Sequence, residues 1–414
     1  MKYIQWTAMA ATLAAGATMA AGCSSSSPDP GPSCVMTSEL TPAARSGNLL
    51  RRAYVASRDS GNVTVIDLDT LEIVGSVNTC SKGYHMVELN ADFTKVYASG
   101  TEEAKIDVLD ARTLGLNTQI SVGAEPSHLN LSRDGKLLAI VDEKDNAVSF
   151  VDPARDVEVK RVPGFHTPHF VRFDHDNRYA YVANMGAYHV TRVDLSTLAI
   201  DATIPLDGHK DSDVMPEGEE GGFADVQIDQ DGVLWGAHAE SGKVLLYDTK
   251  AHKKLPEFRA GQRPWVVYAE HPFAGIEARV VPDHRKLGVS LLQRSSVGSA
   301  PPEDAPTIRT EEPESYGVNY SSLVPDKAFV MNRMRKEIAV INTRTKELTA
   351  RIGVGGNTET ASTTPDGKWI VAAVSDANRV VVIDAQTNAI VKTFDDVGKY
   401  PWTVTIPQGQ NYCH

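Results

Sequence analysis

The sequence lacks several features that identify common classes of function. Lysine and arginine never form a block and the net charge is −12, which disfavours nucleic acid and an anionic membrane surface as partners. There is no Gly-x-Ser-x-Gly motif, so Ser-His-Asp hydrolysis has no support. A phosphate-cradling glycine loop is also absent, which gives nucleotide chemistry no starting point.

Long apolar runs are also missing, apart from one at the N-terminus. The run from Trp6 to Ala21 is too short for a comfortable membrane span and follows the single charge of Lys2. It leads into Ala20-Ala21-Gly22-Cys23, which resembles a bacterial lipobox. We therefore expect residues 1–22 to be a lipoprotein signal peptide and Cys23 to carry the lipid.

The segment after Cys23 predicts how the protein is held in its compartment. Residues 23–48 are rich in serine and proline at their start, which predicts a flexible, partly extended tether. Ser24 after the cysteine favours the outer membrane over the inner one, by analogy with enteric bacteria. We expect an exported protein, anchored by lipid to a bacterial membrane, in the periplasm or at the cell surface.

The rest of the chain repeats one pattern and shows no helical period. Short apolar runs that end in Asp or Asn recur at spacings of about 42 to 54 residues, with one gap of 94. Four short strands per unit at this period are typical of a β-propeller, an all-β fold. The runs end at Asp67, Asp110, Asp152, Asp194, Asp248, Asn342 and Asp384.

The 94-residue gap equals two units, so a degenerate unit is expected near residue 295. The prediction is one domain over residues 49–414 with eight four-stranded blades. The alternative is seven blades with a long insertion across residues 273–312. The first strand, Ala53 to Ala56, matches the second strand of a unit, whereas Trp402 to Ile406 matches a first strand. Both chain ends should therefore complete one blade and remove the free sheet edges.

Cysteine is scarce, with four in the chain. If Cys23 carries lipid, Cys34, Cys80 and Cys413 remain, and an oxidising compartment allows one disulfide. Cys34 precedes the first strand and Cys413 follows the last, so ring closure favours a Cys34–Cys413 bridge. This pairing would leave Cys80 free.

Tyr181-Val182-Ala183-Asn184, together with Pro365-Asp366-Gly367 and the run 380–384, resembles the YVTN-type propeller repeat. The resemblance extends to the haem-binding propeller of cytochrome-type nitrite reductase, the propeller of nitrous oxide reductase and the heavy chain of methylamine dehydrogenase. Eight blades favour the first. The C-terminal Asn411-Tyr412-Cys413-His414 has one cysteine, so the Cys-x-x-Cys-His motif for covalent haem is absent.

Histidines cluster in the loops that lead into the first strand of successive units. Counting seven residues back from the turn aspartates Asp92, Asp134 and Asp176 reaches His85, Ser127 and His169. Imidazole with thiolate or carboxylate suits Zn or Cu, or the axial position of a haem-type tetrapyrrole. The candidate ligands are His85, His128, His166, His169, His209 and Cys80. The acidic loop 211–220 could hold Ca, although a solvated insertion is the simpler interpretation.

These observations predict a membrane-tethered binding propeller that holds a transition metal, a tetrapyrrole or a protein partner at one end of its channel. One alternative is a redox enzyme or electron-transfer accessory similar to the nitrite reductase propeller. Another is a cofactor-free scaffold that binds proteins and leaves the histidines idle. The missing haem attachment motif favours the non-enzymatic binding protein.

Overall fold

A computed structural model describes residues 36–285, 287–297, 305–310 and 315–411. Eight antiparallel sheets within these residues form a β-propeller, which confirms the predicted class and the count of eight blades. The predicted signal peptide, the lipidation site Cys23 and the cysteines Cys34 and Cys413 lie outside the described residues. No helix among the described residues is long and apolar enough to cross a bilayer.

The strands follow one another blade by blade. Blade 1 begins with β1 (Thr37–Leu40), β2 (Arg52–Ser57), β3 (Asn62–Asp67) and β4 (Glu72–Asn78). Blade 2 has β5 (Tyr84–Leu89), β6 (Lys95–Gly100), β7 (Lys105–Asp110) and β8 (Leu116–Ser121). Blade 3 has β9 (Pro126–Leu131), β10 (Leu138–Asp142), β11 (Ala147–Asp152) and β12 (Val157–Pro163). Blade 4 has β13 (Pro168–Phe173), β14 (Tyr179–Asn184), β15 (His189–Asp194) and β16 (Ala199–Pro205).

The second half of the chain continues in the same order. Blade 5 has β17 (Phe223–Ile228), β18 (Val233–His238), β19 (Lys243–Asp248) and β20 (Lys253–Arg259), and blade 6 has β21 (Ala278–Asp283), β22 (Gly288–Gln293) and β23 (Thr307–Arg309). Blade 7 has β24 (Ser315–Tyr320), β25 (Lys327–Asn332), β26 (Glu337–Asn342) and β27 (Glu347–Gly353). Blade 8 has β28 (Thr358–Thr363), β29 (Trp369–Val374), β30 (Arg379–Asp384) and β31 (Ile390–Phe394), and β32 (Pro401–Thr405) ends the series. Helices are short: α1 (Pro42–Ser46) and 3-10 turns at Leu49–Arg51, Glu143–Asp145, Arg294–Ser296 and Ser375–Ala377.

Both chain ends contribute to blade 1, as the sequence predicted. Strand β32 pairs antiparallel with β2, with Thr405 opposite Tyr54 and Pro401 opposite Ser57. At the outer edge β1 pairs with β4, so this blade has five strands. The predicted tether 23–48 is therefore wrong for residues 37–46, which form β1 and α1.

Blade 6 is the degenerate unit that the long gap predicted. Its strand β22 ends at Gln293, beside the expected position 295, so the seven-blade alternative is wrong. The innermost place is taken by residues 264–268, which make only isolated bridges from Pro264 to Asp283 and from Tyr268 to Val280. Because this unit lacks the regular Asp at its third strand end, its repeat was invisible in the sequence.

The repeated Asp or Asn has a local physical role. The carboxylate Oδ1 of Asp67 accepts hydrogen bonds from the backbone N–H groups of Asp69 and Thr70, both at 2.9 Å. Asn342 does the same for Arg344 and Thr345. Such Asx turns satisfy backbone donors in the tight turn between the third and fourth strands. The residue that repeats in the sequence is therefore the one that stabilises this turn in each regular blade.

Packing between blades forms the core. The three inner strands of a blade are largely buried, whereas the outermost strand, such as β12, is mostly exposed. One apolar cluster runs from Met86 in blade 2 to Leu245 in blade 5 and includes Trp402 of blade 1. The innermost strands line the channel, so side chains at their beginnings meet around the propeller axis.

Candidate functional site

The innermost strands share a β-bulge close to their first residues. All seven regular inner strands have a register shift there, with one more residue on the inner strand than on its partner. A bulge bends the strand and redirects side chains, and such bulges are common beside functional sites. The residues in the bulges are His85–Met86, Ser127–His128, His169, Ala224–Asp225, Tyr316–Gly317, 359–360 and Trp402. We call this end of the channel the mouth.

Three of the predicted ligands meet at the mouth, one from each of blades 2, 3 and 4. The Nε2 atoms of His85 and His128 lie 3.2 Å apart. The rings of His128 and His169 lie 4.3 Å apart between centroids. We call His85, His128 and His169 the histidine triad. His128 is one position out of register in the sequence: it takes the second place of its bulge, whereas His85 takes the first place of the corresponding bulge.

Two rings of the triad, His85 and His128, are electrostatically disposed to remain neutral. His128 is 1 % exposed, and burial lowers its pKa well below the ordinary value, with further lowering from His169 and Arg172. Burial likewise lowers the pKa of His85 well below its ordinary value, and His128 adds to the effect. Neutral imidazole is the form that binds a metal, so both residues stay competent at mildly acidic pH.

Neighbouring groups orient the rings of His128 and His169. The Nδ1–H of His169 donates to the backbone carbonyl of Ala224 at 2.7 Å, which leaves Nε2 with its lone pair. The Nδ1 atom of His128 lies 3.0 Å from the Ser127 hydroxyl and 3.6 Å from a carboxylate oxygen of Glu143. A carboxylate or carbonyl behind a ligating imidazole is the usual outer-shell arrangement around bound metals.

The triad fits a transition metal by its donor set. Two imidazole nitrogens bound to one tetrahedral zinc at 2.0–2.1 Å stand about 3.3 Å apart. The His85–His128 separation of 3.2 Å matches this value. Among the described residues, one group of three or more His, Cys, Asp and Glu has ligand atoms all within 4.8 Å of one another, and it consists of His128, Glu143 and His169. Glu143 is thus part of the compact group, and His85 adjoins it through its 3.2 Å approach to His128. Together these residues supply the donor types that Zn and Cu prefer.

The other half of the mouth is aromatic and cationic. The ring of Trp402 lies 5.2 Å from that of His85, and the Arg58 guanidinium lies 5.0 Å from the Trp402 ring. Arg333 stands 3.5 Å above the Tyr316 ring and 6.0 Å from Trp402. The buried indole N–H of Trp402 has no acceptor within the described part of the chain. Flat aromatic surfaces and spare donors suit a conjugated anionic ligand.

Two predicted ligands lie apart from the triad. His166 is exposed and its ring approaches His189 at 5.7 Å instead. His209 stacks on Tyr188 at 4.0 Å, and Tyr188 stacks on His238 at 4.9 Å. The expected five-histidine funnel is thus divided into the triad and a separate group between blades 4 and 5. The acidic loop 211–220 forms no three-ligand cluster within the described residues, and Asp213 accepts a hydrogen bond from Lys210.

The prediction that Cys80 is a free thiolate ligand is wrong. Cys80 is disulfide-bonded, so it has no thiolate to offer a metal. It is the single cysteine among the described residues, so its partner lies outside them. The proposed Cys34–Cys413 pair cannot coexist with this bond unless Cys23 is the partner of Cys80.

Sequence analysis missed the residues that support the triad. Glu143 begins a 3-10 turn at the end of β10, and Trp402, Tyr316 and Arg333 come from blades 1 and 7. Trp402 could have been found, because its blade position matches that of Trp265 after a proline. Glu143 carries no local signal, since its relation to His128 depends on packing across the blade.

Comparison with known proteins defines the fold and leaves the family open. No family model and no curated protein match this chain. Among solved structures, dihydro-haem d1 dehydrogenase NirN in complex with DHE superimposes with a TM-score of 0.72 at 15 % identity, covering 87 % of this chain and 76 % of NirN. Apo AztD from Citrobacter koseri gives a TM-score of 0.61 at 12 % identity, covering 85 % and 96 %. Hydrazine synthase from Kuenenia stuttgartiensis gives 0.53 at 17 % identity, covering 73 % and 95 %. The chain is a β-propeller similar in fold to these proteins, which confirms the expected resemblance to haem-type propellers at the level of architecture.

Proposed function

We propose that this protein binds a transition metal ion, Zn or Cu, through the Nε2 atoms of His85, His128 and His169. The observation that supports it best is the 3.2 Å approach of the first two nitrogens from separate blades. Two neutral imidazoles in this position can share at most one hydrogen bond, whereas a cation satisfies both lone pairs. The triad is assembled by the fold itself, so binding needs little rearrangement.

The residues around the triad would position its rings for metal binding rather than catalyse a reaction. Ser127 and Glu143 orient His128, and the Ala224 carbonyl orients His169. Each holds its ring in the tautomer that presents Nε2 to the channel. A bound ion would supply positive charge at the mouth and leave coordination positions open for an outside ligand. We therefore favour a metal-binding protein over an enzyme.

The test is metal binding by the full chain and by its triad variant. The purified protein, made without an affinity histidine tag, is expected to bind one equivalent of Zn or Cu in a competition titration. His85→Ala combined with His169→Ala should weaken binding at least a hundredfold. His252→Ala, an exposed histidine outside the mouth, is the matched control and should bind normally. Unchanged affinity in the double variant would refute the proposal.

A second candidate ligand is a haem-type tetrapyrrole, which the aromatic and cationic half of the mouth favours. The similar structure of NirN was solved in complex with DHE. Arg58 and Arg333 would pair with ligand carboxylates, and Trp402 would face the conjugated ring. Reconstitution with haem should then give a visible absorption band that Arg333→Ala weakens. Metal binding without any tetrapyrrole band would reject this candidate and retain the first.

Export and anchoring are part of the same proposal. The apolar run 6–21 and the tetrapeptide ending at Cys23 support a lipid-anchored protein of the bacterial envelope, with the outer membrane favoured. Cys23→Ser should move the protein from the membrane fraction to the soluble fraction of the envelope. A variant that remains in the membrane fraction would contradict lipid anchoring, although it would leave metal binding untouched.

A further inference from the structure

A cavity of about 390 Å³ lies farther along the inner strands than the histidine triad. It is lined by side chains from the middle and far ends of the inner strands, among them Glu88 of β5, Asn130 of β9 and Arg172 of β13. Glu270 and His271 line it from the irregular stretch before β21. This cavity shares no lining residue with the histidine triad.

The chain's own C-terminal segment encloses this cavity. After β32 the backbone turns, and residues 408–411 join the lining. Gln410 pairs with Thr363 of blade 8 through both backbone groups. Its side-chain oxygen accepts from Tyr320 N–H, and its amide donates to the Val318 carbonyl, both in blade 7. The segment ties three blades together and gives the cavity one fixed wall.

Charges in the cavity balance except at one residue. Arg172 donates to Asp225 at 2.9 Å, and Arg133 donates to Glu270 at 2.7 Å. These two arginines offset the two carboxylates. Glu88 makes no direct ion pair within the described part of the chain, and Arg172 attracts it only from a greater distance. One of its carboxylate oxygens accepts the backbone N–H of Leu89. A carboxyl group held inside a cavity without a cation partner is costly when it is ionised.

Polar groups around Glu88 also have unused capacity. Both ring nitrogens of His271, which is 7 % exposed, are buried without a hydrogen-bond partner within the described residues. One carboxylate oxygen of Glu270 is also buried without a hydrogen-bond partner within the described residues, and the Arg172 Nε atom lies 3.4 Å from it. Burial holds the pKa of His271 at about 4, so this ring is neutral near pH 7 and offers a lone pair as well as a donor. The unused groups are mainly acceptors.

We propose that the cavity binds a small organic cation that carries a primary ammonium group, with Glu88 as its ion-pair partner. The ammonium donates a charge-assisted hydrogen bond to Glu88, and Glu270 and His271 provide further acceptors elsewhere along the cavity wall. The alkyl part of the ligand lies along Met86 and Pro272, which also line the cavity. A bare metal ion fits less well, because among the described residues these side chains form no group with ligand atoms within 4.8 Å.

Calorimetric titration of the full chain with butylammonium tests this, with butyrate as the anionic probe of the same length. Butylammonium should bind, and Glu88→Gln should weaken its affinity at least tenfold. Glu125→Gln, which removes an exposed carboxylate near the mouth, is the control and should not change it. His271→Leu should weaken binding by a smaller factor. Binding of butyrate, binding of neither probe, or full affinity in Glu88→Gln would overturn the proposal.

The pH dependence provides a second readout. Burial raises the pKa of Glu88 to about 7, whereas a butylammonium group resembles lysine and stays charged well above that pH. Affinity should therefore rise between pH 6 and pH 8 in the natural protein and stay flat in Glu88→Gln. Arg172 is the charged group that acts on this carboxyl, and Arg133, Glu270 and His271 share the cavity with it. The proposal is independent of the metal site, so removal of the histidine triad should leave it intact.

Discussion

The Nε2 atoms of His85 and His128 approach to 3.2 Å although the residues belong to different blades and stand 43 positions apart. Each sits in the bulge of its inner strand, where one additional residue redirects the side chain toward the channel. The same bulge recurs around the ring, so the mouth is built from corresponding positions that carry different side chains. Histidines occupy three neighbouring blades, and aromatic residues occupy the opposite side.

Glu143 is expected to position His128 rather than to bind the metal directly. Its carboxylate lies behind the Nδ1 atom at 3.6 Å, so Glu143→Gln should keep one metal per chain and lower affinity about ten- to a hundredfold. A competition titration with a chromogenic chelator measures both quantities. Glu125→Gln alters an exposed neighbour, whose backbone carbonyl accepts the Glu143 N–H, and should titrate like the natural protein. Loss of stoichiometry in Glu143→Gln would show instead that the carboxylate is a ligand.

His238 should make the fold sensitive to acid. The ring is fully buried, and burial lowers its pKa to about 4. Because the unfolded ring titrates near 6.5, the unfolded state binds more protons as the pH falls, and up to about 3 kcal/mol of stability is lost between pH 6.5 and pH 4. His238→Asn should be less stable than the natural protein at pH 7.5. This difference in the free energy of unfolding should become smaller toward pH 4.

Taking this difference between variant and natural protein isolates His238. Glu88 and Asp142 have pKa values raised to about 7 by burial, so their contribution to stability has the opposite sign, and it cancels in the comparison. His252→Asn, on an exposed turn, should give a curve parallel to that of the natural protein. Denaturant unfolding at several pH values provides the measurement. Parallel curves for His238→Asn would contradict the assignment.

Cys34 is the expected partner of Cys80. Thr37 pairs with Asn78 in the sheet. Cys34 precedes Thr37 by three residues, and Cys80 follows Asn78 by two. Three residues of extended chain reach about 10 Å. Cys34→Ser should therefore release a free Cys80 thiol, detectable by alkylation and mass spectrometry, whereas Cys413→Ser should not. The reverse outcome would assign Cys413 to the bond.

Removal of β32 should prevent the ring from closing. A chain that ends at Lys399 would leave β2 as an exposed edge and uncover Val55 and Ala56, which are fully buried in the natural protein. An unpaired inner strand invites association with other chains. We expect aggregation or a large loss of soluble yield on gel filtration. A chain that ends at Gln408 keeps the strand, and a monodisperse peak from it would separate strand loss from loss of the C-terminal wall.

The fold was predictable because its turns repeat a local chemistry. Asp67 and Asn342 stand at equivalent places and bind the same backbone donors, so a single sequence reveals the period. The site was only half predictable. His85 and His169 share a register, whereas His166 lies outside β13, is exposed and meets His189 instead. Cys80 was misassigned because β1 and its pairing with β4 gave no signal within a segment that begins with serine and proline.

Blade 1 obtains its innermost strand from residues 401–405, which follow the strands of the other seven blades in the chain. The innermost strand of blade 1 is therefore synthesised long after the four other strands of that blade. Until the end of the chain arrives, Tyr54 and Val55 have no partner on their inner side. Such distant pairing slows folding. Until β32 is made, the ring therefore keeps one open inner edge while blades 2 to 8 are synthesised.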